Sequence, residues 1–75
     1  MSKVIVKTAG ICGGRARLAG TRIPVWGIAA LVRQGLSNEQ IVRRYPRITV
    51  RQVVAAKQYA DRHWGEIDND VRENQ

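Results

Sequence analysis

The stretch Ser37-Asn38-Glu39-Gln40-Ile41-Val42-Arg43-Arg44-Tyr45-Pro46-Arg47-Ile48-Thr49-Val50-Arg51-Gln52 decides the fold. Ser37 with Gln40, and Thr49 with Gln52, each place a hydroxyl residue three positions ahead of a glutamine. That is the spacing of a capping box, in which the hydroxyl accepts from the N3 amide and the glutamine side chain returns to the N-cap amide. Each pair therefore starts a helix. Pro46 stops the first helix, because the residue before a proline avoids helical backbone angles. That helix carries Ile41, Val42 and Tyr45 inward and Arg43 and Arg44 outward, and Arg47-Ile48 make the turn. The next helix runs to about His63 or Trp64, before Gly65. Its apolar side is Val50, Val53, Val54, Ala56 and Ala60, with Tyr59 at the edge. Two short capped helices around such a turn fit a helix-turn-helix, whose second member enters the DNA major groove while the first braces it. Many helical hairpins share the spacing.

Upstream, Val25, Ile28, Ala29, Leu31 and Val32 follow the three-and-four spacing of one helix face, predicting a helix from about Val25 to Gln34. Gly35 suits the left-handed position after its end, with Leu36 folding back onto the face. Thr21-Arg22-Ile23-Pro24 is its entry. Further upstream, Lys3-Val4-Ile5-Val6-Lys7 and the glycines at 10, 13, 14 and 20 predict a β-hairpin or arm over residues 3–24. Downstream, residues 66–75 are polar and acidic, with only Ile67 and Val71 apolar at four-residue spacing. They predict a frayed helix, or a tail that orders on binding. The expected fold is mostly α: a small helix-turn-helix, three-helix domain over residues 1–65, with an N-terminal β-hairpin or arm (3–24) and an acidic tail (66–75).

A chain of 75 residues is one domain with little room for a deep catalytic cleft. At this size only about 60% of the unfolded surface is buried, so a homodimer is expected. With no Phe, two Trp and two Tyr, the core is built from Ile, Val, Leu and Ala. Thirteen Lys and Arg against six Asp and Glu give a net charge of +7, which points to a polyanionic partner. The charge is uneven. Residues 1–60 hold eleven basic and one acidic side chains, whereas residues 61–75 hold two basic and five acidic. A nucleic acid or an acidic protein would each meet the basic body. The single Cys12 forms no intrachain disulfide, and no leader-like or membrane-spanning run is found, so a cytoplasmic location is expected.

On the second helix of the pair the outward residues are Arg51, Gln52, Ala55, Gln58 and Arg62. Arg and Gln read guanine and adenine edges bidentately, while Arg43, Arg44 and Arg47 flank the turn where backbone phosphates would lie. A solvated helix face is the alternative for each. The glycines at 10, 13, 14 and 20 match neither dinucleotide nor P-loop spacing and are explained by tight turns. His63 and Cys12 lack partners for a zinc set, Glu66, Asp68, Asp70 and Glu73 fit a solvated cap, and Ser37 is an N-cap. Trp26 and Trp64 read as packing residues in a core without Phe. No catalytic residue, metal site or cofactor is expected.

The run Gly10-Ile11-Cys12-Gly13-Gly14-Arg15-Ala16-Arg17-Leu18-Ala19-Gly20-Thr21-Arg22-Ile23-Pro24-Val25 resembles the opening signature of the small bacterial proteins of the domain of unknown function 433 family. Gly35-Leu36-Ser37 with Ile41, Tyr45-Pro46-Arg47-Ile48-Thr49, Gln52-Val53, Ala55-Ala56 and Tyr59-Ala60 resemble its later helices, so the likeness covers about residues 4–63. Lys57 departs from the family pattern, where an apolar residue is expected. The resemblance implies a winged-helix-like, helix-turn-helix domain acting as the antitoxin of a toxin–antitoxin pair, beside a PIN-like ribonuclease toxin and binding operator DNA. It implies further that Arg15, Arg17 or Arg22 reaches the toxin's acidic cluster, with the segment around Ile67 and Val71 as the rival toxin-binding element. A free-standing transcriptional regulator without a toxin, and an interaction module that never touches nucleic acid, are the alternatives.

Overall fold

The computed structural model describes residues 3–74. Strands β1 (Ile5–Val6) and β2 (Arg17–Leu18) pair antiparallel, with Ile5 opposite Leu18 and Val6 opposite Arg17. Between them lies a short 3-10 turn, Cys12–Gly14. Gly13 sits at φ +64°, a left-handed conformation that favours glycine, and a Cβ there would displace the Arg15 guanidinium that crosses it. The other side of β2 meets the approach to the first helix: the Leu18 amide donates to the Ile23 carbonyl at 2.9 Å and the Val25 amide to the Ala16 carbonyl at 2.9 Å. The arm is thus stitched to the helical body.

Helix α1 (Val25–Arg33) buries Val25, Ile28, Ala29 and Leu31. It ends in a Schellman motif, with Gly35 at φ +92°, its amide donating to the Val32 carbonyl and the Leu36 amide to the Leu31 carbonyl. Helix α2 (Asn38–Arg44) and helix α3 (Val50–Arg62) both open on complete capping boxes. The Gln40 amide donates to Ser37 Oγ at 3.2 Å and the Ser37 amide to Gln40 Oε1 at 2.8 Å; Thr49 and Gln52 repeat the exchange at 3.3 and 2.8 Å. Ile48, in the turn, is buried and pins the two helices to one core. The mostly α, helix-turn-helix architecture expected from the sequence is present, and α3 packs against α1, α2 and β1.

Of the two alternatives for the acidic segment the helix is the one formed, and residues 66–74 are not a separate tail. A fourth helix, α4 (Trp64–Glu73), packs against α1 and α3, with Ile67 at 0% and Val71 at 3% exposure inside the same core as Val25, Ile28 and Val53. Gly65 does not end α3; the break falls at His63, which closes α3 and opens α4 with φ −126° and ψ 44°. The reason is packing: a three-helix body leaves one side of α1 uncovered, and Ile67 and Val71, one helical turn apart, cover it. Among the described residues no helix is long and apolar enough to cross a membrane.

The acidic residues of α4 meet the basic body. Glu66 pairs with Lys7 at 3.1 Å, Asp68 with Arg33 at 3.1 Å and with Arg72 at 3.0 Å, and Glu73 with Arg15 at 2.6 Å. Asp70 is buried and lies 3.4 Å from Arg15 Nε. Burial holds its carboxyl above the usual 3.8, with the Arg15 charge opposing the rise. Glu73 behaves oppositely: hydrogen bonds from Arg15 and then Asn69 hold it below the usual 4.5.

A group whose carboxyl is lowered on folding adds stability above its unfolded value and loses it as the pH falls through the folded one. Glu73→Gln is therefore expected to be less stable than the parent at pH 7, with the gap closing as the pH drops below about 4, as read by urea unfolding across the acid range. A gap independent of pH would show that the ion pair contributes nothing.

Candidate nucleic-acid interface

The buried side of α3 is Val53, Ala56 and Ala60. At about 100° per residue, the opposite side is Arg51, Ala55, Gln58 and Arg62. Arg51, Gln58 and Arg62 are exposed and Ala55 half-buried, so this face is open over about 16 Å of helix. Arg43 and Arg44 are exposed in the last turn of α2, and Arg47 is exposed in the turn. Asp61 is also exposed on α3 and sets an acidic edge to the face.

Gln52 departs from its expected role as an outward base reader. Its Oε1 accepts from the Thr49 amide at 2.8 Å and the Thr49 hydroxyl at 3.3 Å, so the carbonyl half of the amide is committed to the cap. Val50 and Val54 depart as well. Both were expected on the apolar side, yet they are 41% and 36% exposed. They stand one helical turn apart and flank Arg51, and such side chains can lie against thymine methyl groups. Lys57 finds its explanation in a hydrogen bond from its Nζ to Asn38 Oδ1 at 3.0 Å, which ties α3 to the first turn of α2.

The ion pairs divide the charge. Among the described residues, Lys7, Arg15, Arg33 and Arg72 have carboxylate partners, and those partners all lie on α4. Arg43, Arg44, Arg47, Arg51 and Arg62 have none. Four of the protein's six acidic side chains are thereby engaged away from the helix-turn-helix, whose arginines stay free to meet an external anion.

The residues expected to bind a toxin fare differently. Ile67 and Val71 are core residues and offer no surface to a partner. Arg17 is 9% exposed; its guanidinium donates to the Thr21 carbonyl at 2.9 Å, Thr8 Oγ1 at 3.0 Å and, more distantly, the Leu18 carbonyl, so it holds the arm together from inside. Arg15 is tied to Glu73 and Asp70. Arg22 alone of the arm's three arginines is exposed and without an ion pair. Spacing along the chain could not separate these three, because their fates depend on α4 and on the turn at Gly20.

These features define a small helix-turn-helix domain with an N-terminal β arm and a basic face. The chain belongs to the family described as "Protein of unknown function (DUF433)", whose pattern matches residues 5–60. In the solved structures it is similar to a DUF433 member from Anabaena variabilis, with a TM-score of 0.87 and 36% identity, over 92% of this chain and 68% of that one. Among curated proteins it is 30% identical over 59 residues to the "Uncharacterized protein y4eO" of Sinorhizobium fredii. The match takes in 79% of this chain but spans only 27% of that relative's length.

The structural role of Arg17 is checked by Arg17→Ala. Losing hydrogen bonds from a buried charged donor is expected to lower the unfolding free energy by about 2 kcal/mol in urea titrations, with faster amide exchange at Leu18 and Thr21. Unchanged stability would return Arg17 to the set of free surface arginines.

Proposed function

We propose that this chain is a DNA-binding helix-turn-helix domain that lays the Arg51, Ala55, Gln58 and Arg62 face of α3 into the major groove. Arg43, Arg44 and Arg47 then meet the phosphates on either side. The observation that carries the reading is the divided charge: among the described residues five arginines around α2 and α3 have no carboxylate partner, while the acidic residues of α4 are held elsewhere. In a dimer, two copies of α3 would read half-sites about one helical turn of DNA apart. We propose further that the domain is the antitoxin of a toxin–antitoxin pair, regulating its own operon and neutralising a PIN-like nuclease. That part is supported by the family resemblance, and Arg22 is the arm residue free to serve it.

Fluorescence anisotropy on duplex DNA tests the first part. With about five phosphates engaged, log affinity is expected to fall against log salt with a slope near −4.5. Arg51→Ala is expected to weaken specific binding more than non-specific binding, and Arg44→Ala to weaken both alike. A flat salt response, or equal effects from the two substitutions, overturns the docking described.

Co-expression with the product of the adjacent reading frame tests the second part. A co-purifying complex that suppresses toxicity and ribonuclease activity is expected. If no neighbour binds, the domain is a regulator without a toxin.

A further inference from the structure

A concavity lies where the β arm meets the helix-turn-helix, and no residue of α3 lines it. It is an open groove of about 660 Å³ between the turn after β2 and the turn after α2. Its basic groups are Arg17, Arg22 and Arg47, and its apolar walls are Ile11 and Ile23. Among the described residues none of these three guanidinium groups forms an ion pair. Arg17 forms the floor: it is buried, and its terminal nitrogens are held by Thr21 and Thr8. Three like charges around one groove, one of them buried, form a place where an anion is favoured.

The walls narrow the choice of anion. A phosphodiester presents sugars and a hydrated phosphate to a convex basic surface and gains little from Ile11 and Ile23. An extended peptide differs, because residues two apart point to the same side and an acidic side chain can descend while its apolar neighbours lie along the walls. Guanidinium groups bind a carboxylate through paired N–H donors, and aliphatic walls strengthen that contact by excluding water. The groove is open to solvent rather than enclosed, which suits a segment of chain better than a buried small molecule.

We propose that this groove receives an acidic side chain from an extended peptide segment of a partner protein, the carboxylate bound by Arg22 and Arg47 over Arg17 and the flanking apolar residues seated on Ile11 and Ile23. Arg22 and Arg47 supply the movable donors, being exposed. Arg17 is a positioning residue whose fixed charge sets the floor. The inference does not rest on the docking of α3 on DNA, with which it shares Arg47; peptide titration reads the groove, and duplex binding reads the docking.

The test uses the full chain labelled with nitrogen-15 and titrated with the blocked pentapeptide Leu-Asp-Leu-Asp-Leu, with its Asn-for-Asp counterpart, and with inorganic phosphate. Backbone amide signals of Arg22, Ile23 and Arg47 and the arginine Nε–H signals are followed. Saturable shifts with the Asp peptide are expected, with the Asn peptide binding at least about tenfold more weakly, the size of one lost charge-assisted hydrogen bond. Arg22→Ala and Arg47→Ala, both surface changes that leave the core intact, are each expected to weaken the Asp peptide by about tenfold. Arg72→Ala, on α4, is expected to leave its binding unchanged. Equal binding of the Asp and Asn peptides, shifts that fail to saturate, or inorganic phosphate saturating the same signals as tightly as the Asp peptide would each overturn the assignment.

Discussion

The whole structure depends on the last helix closing the core. A body made of α1, α2, α3 and a two-stranded arm exposes one side of α1, and a chain this short has no spare element to cover it. Ile67 and Val71 of α4 do so, and their burial is coupled to an electrostatic seam, because Glu66, Asp68, Asp70 and Glu73 each face a basic group of the body or of α4 itself. The apolar contact supplies the drive, and the ion pairs set the orientation. Asp70 shows the cost of that arrangement: its carboxylate is buried deeply enough that desolvation outweighs the attraction of Arg15.

This seam also organises the surface chemistry. By gathering carboxylates on one side, it leaves the arginines of the helix-turn-helix without a carboxylate partner among the described residues, and it leaves Arg22 and Arg47 bordering a groove whose described lining holds no acid. The two regions differ in shape. The face of α3 is a ridge suited to a groove in something else, whereas the concavity beside Ile11 and Ile23 is suited to receive a segment. One small domain thus presents a basic projection and a basic recess, joined at Arg47.

The parts legible in the sequence are those whose signals are local. Both capping boxes, the stop at Pro46 and the left-handed Gly35 are each fixed by residues within one turn of one another, and the structure has all of them. The start of α4 was not legible, since Gly65 and a run of polar residues read as an ending, and the partners that make the segment helical lie as far away as Lys7 and Arg15. The same limit applies to side-chain roles. Gln52 carries one signature that serves two uses, cap and base reader, and only the hydrogen bond to Thr49 shows the first in place. Val50 and Val54 have the composition of a core face but sit at the rim, because the narrow stripe of Val53, Ala56 and Ala60 already fills the space against α1. Of the arm arginines, similar in sequence, one is interior, one is ion-paired and one is free, a distinction made by tertiary neighbours alone.

The joint at His63 has a consequence for how the chain tolerates changes in length. One residue ends α3 and begins α4, so the two helices share a corner with no slack in it. Adding a single residue there would turn α4 by about 100° about its own axis and carry Ile67 and Val71 off their seat on α1. The loop between β1 and the turn at Cys12–Gly14, by contrast, passes through the exposed Ala9 and Gly10, where an insertion meets no packed side chain. Indels should therefore be distributed very unevenly along this small domain, tolerated at the rim of the arm and forbidden at the corner.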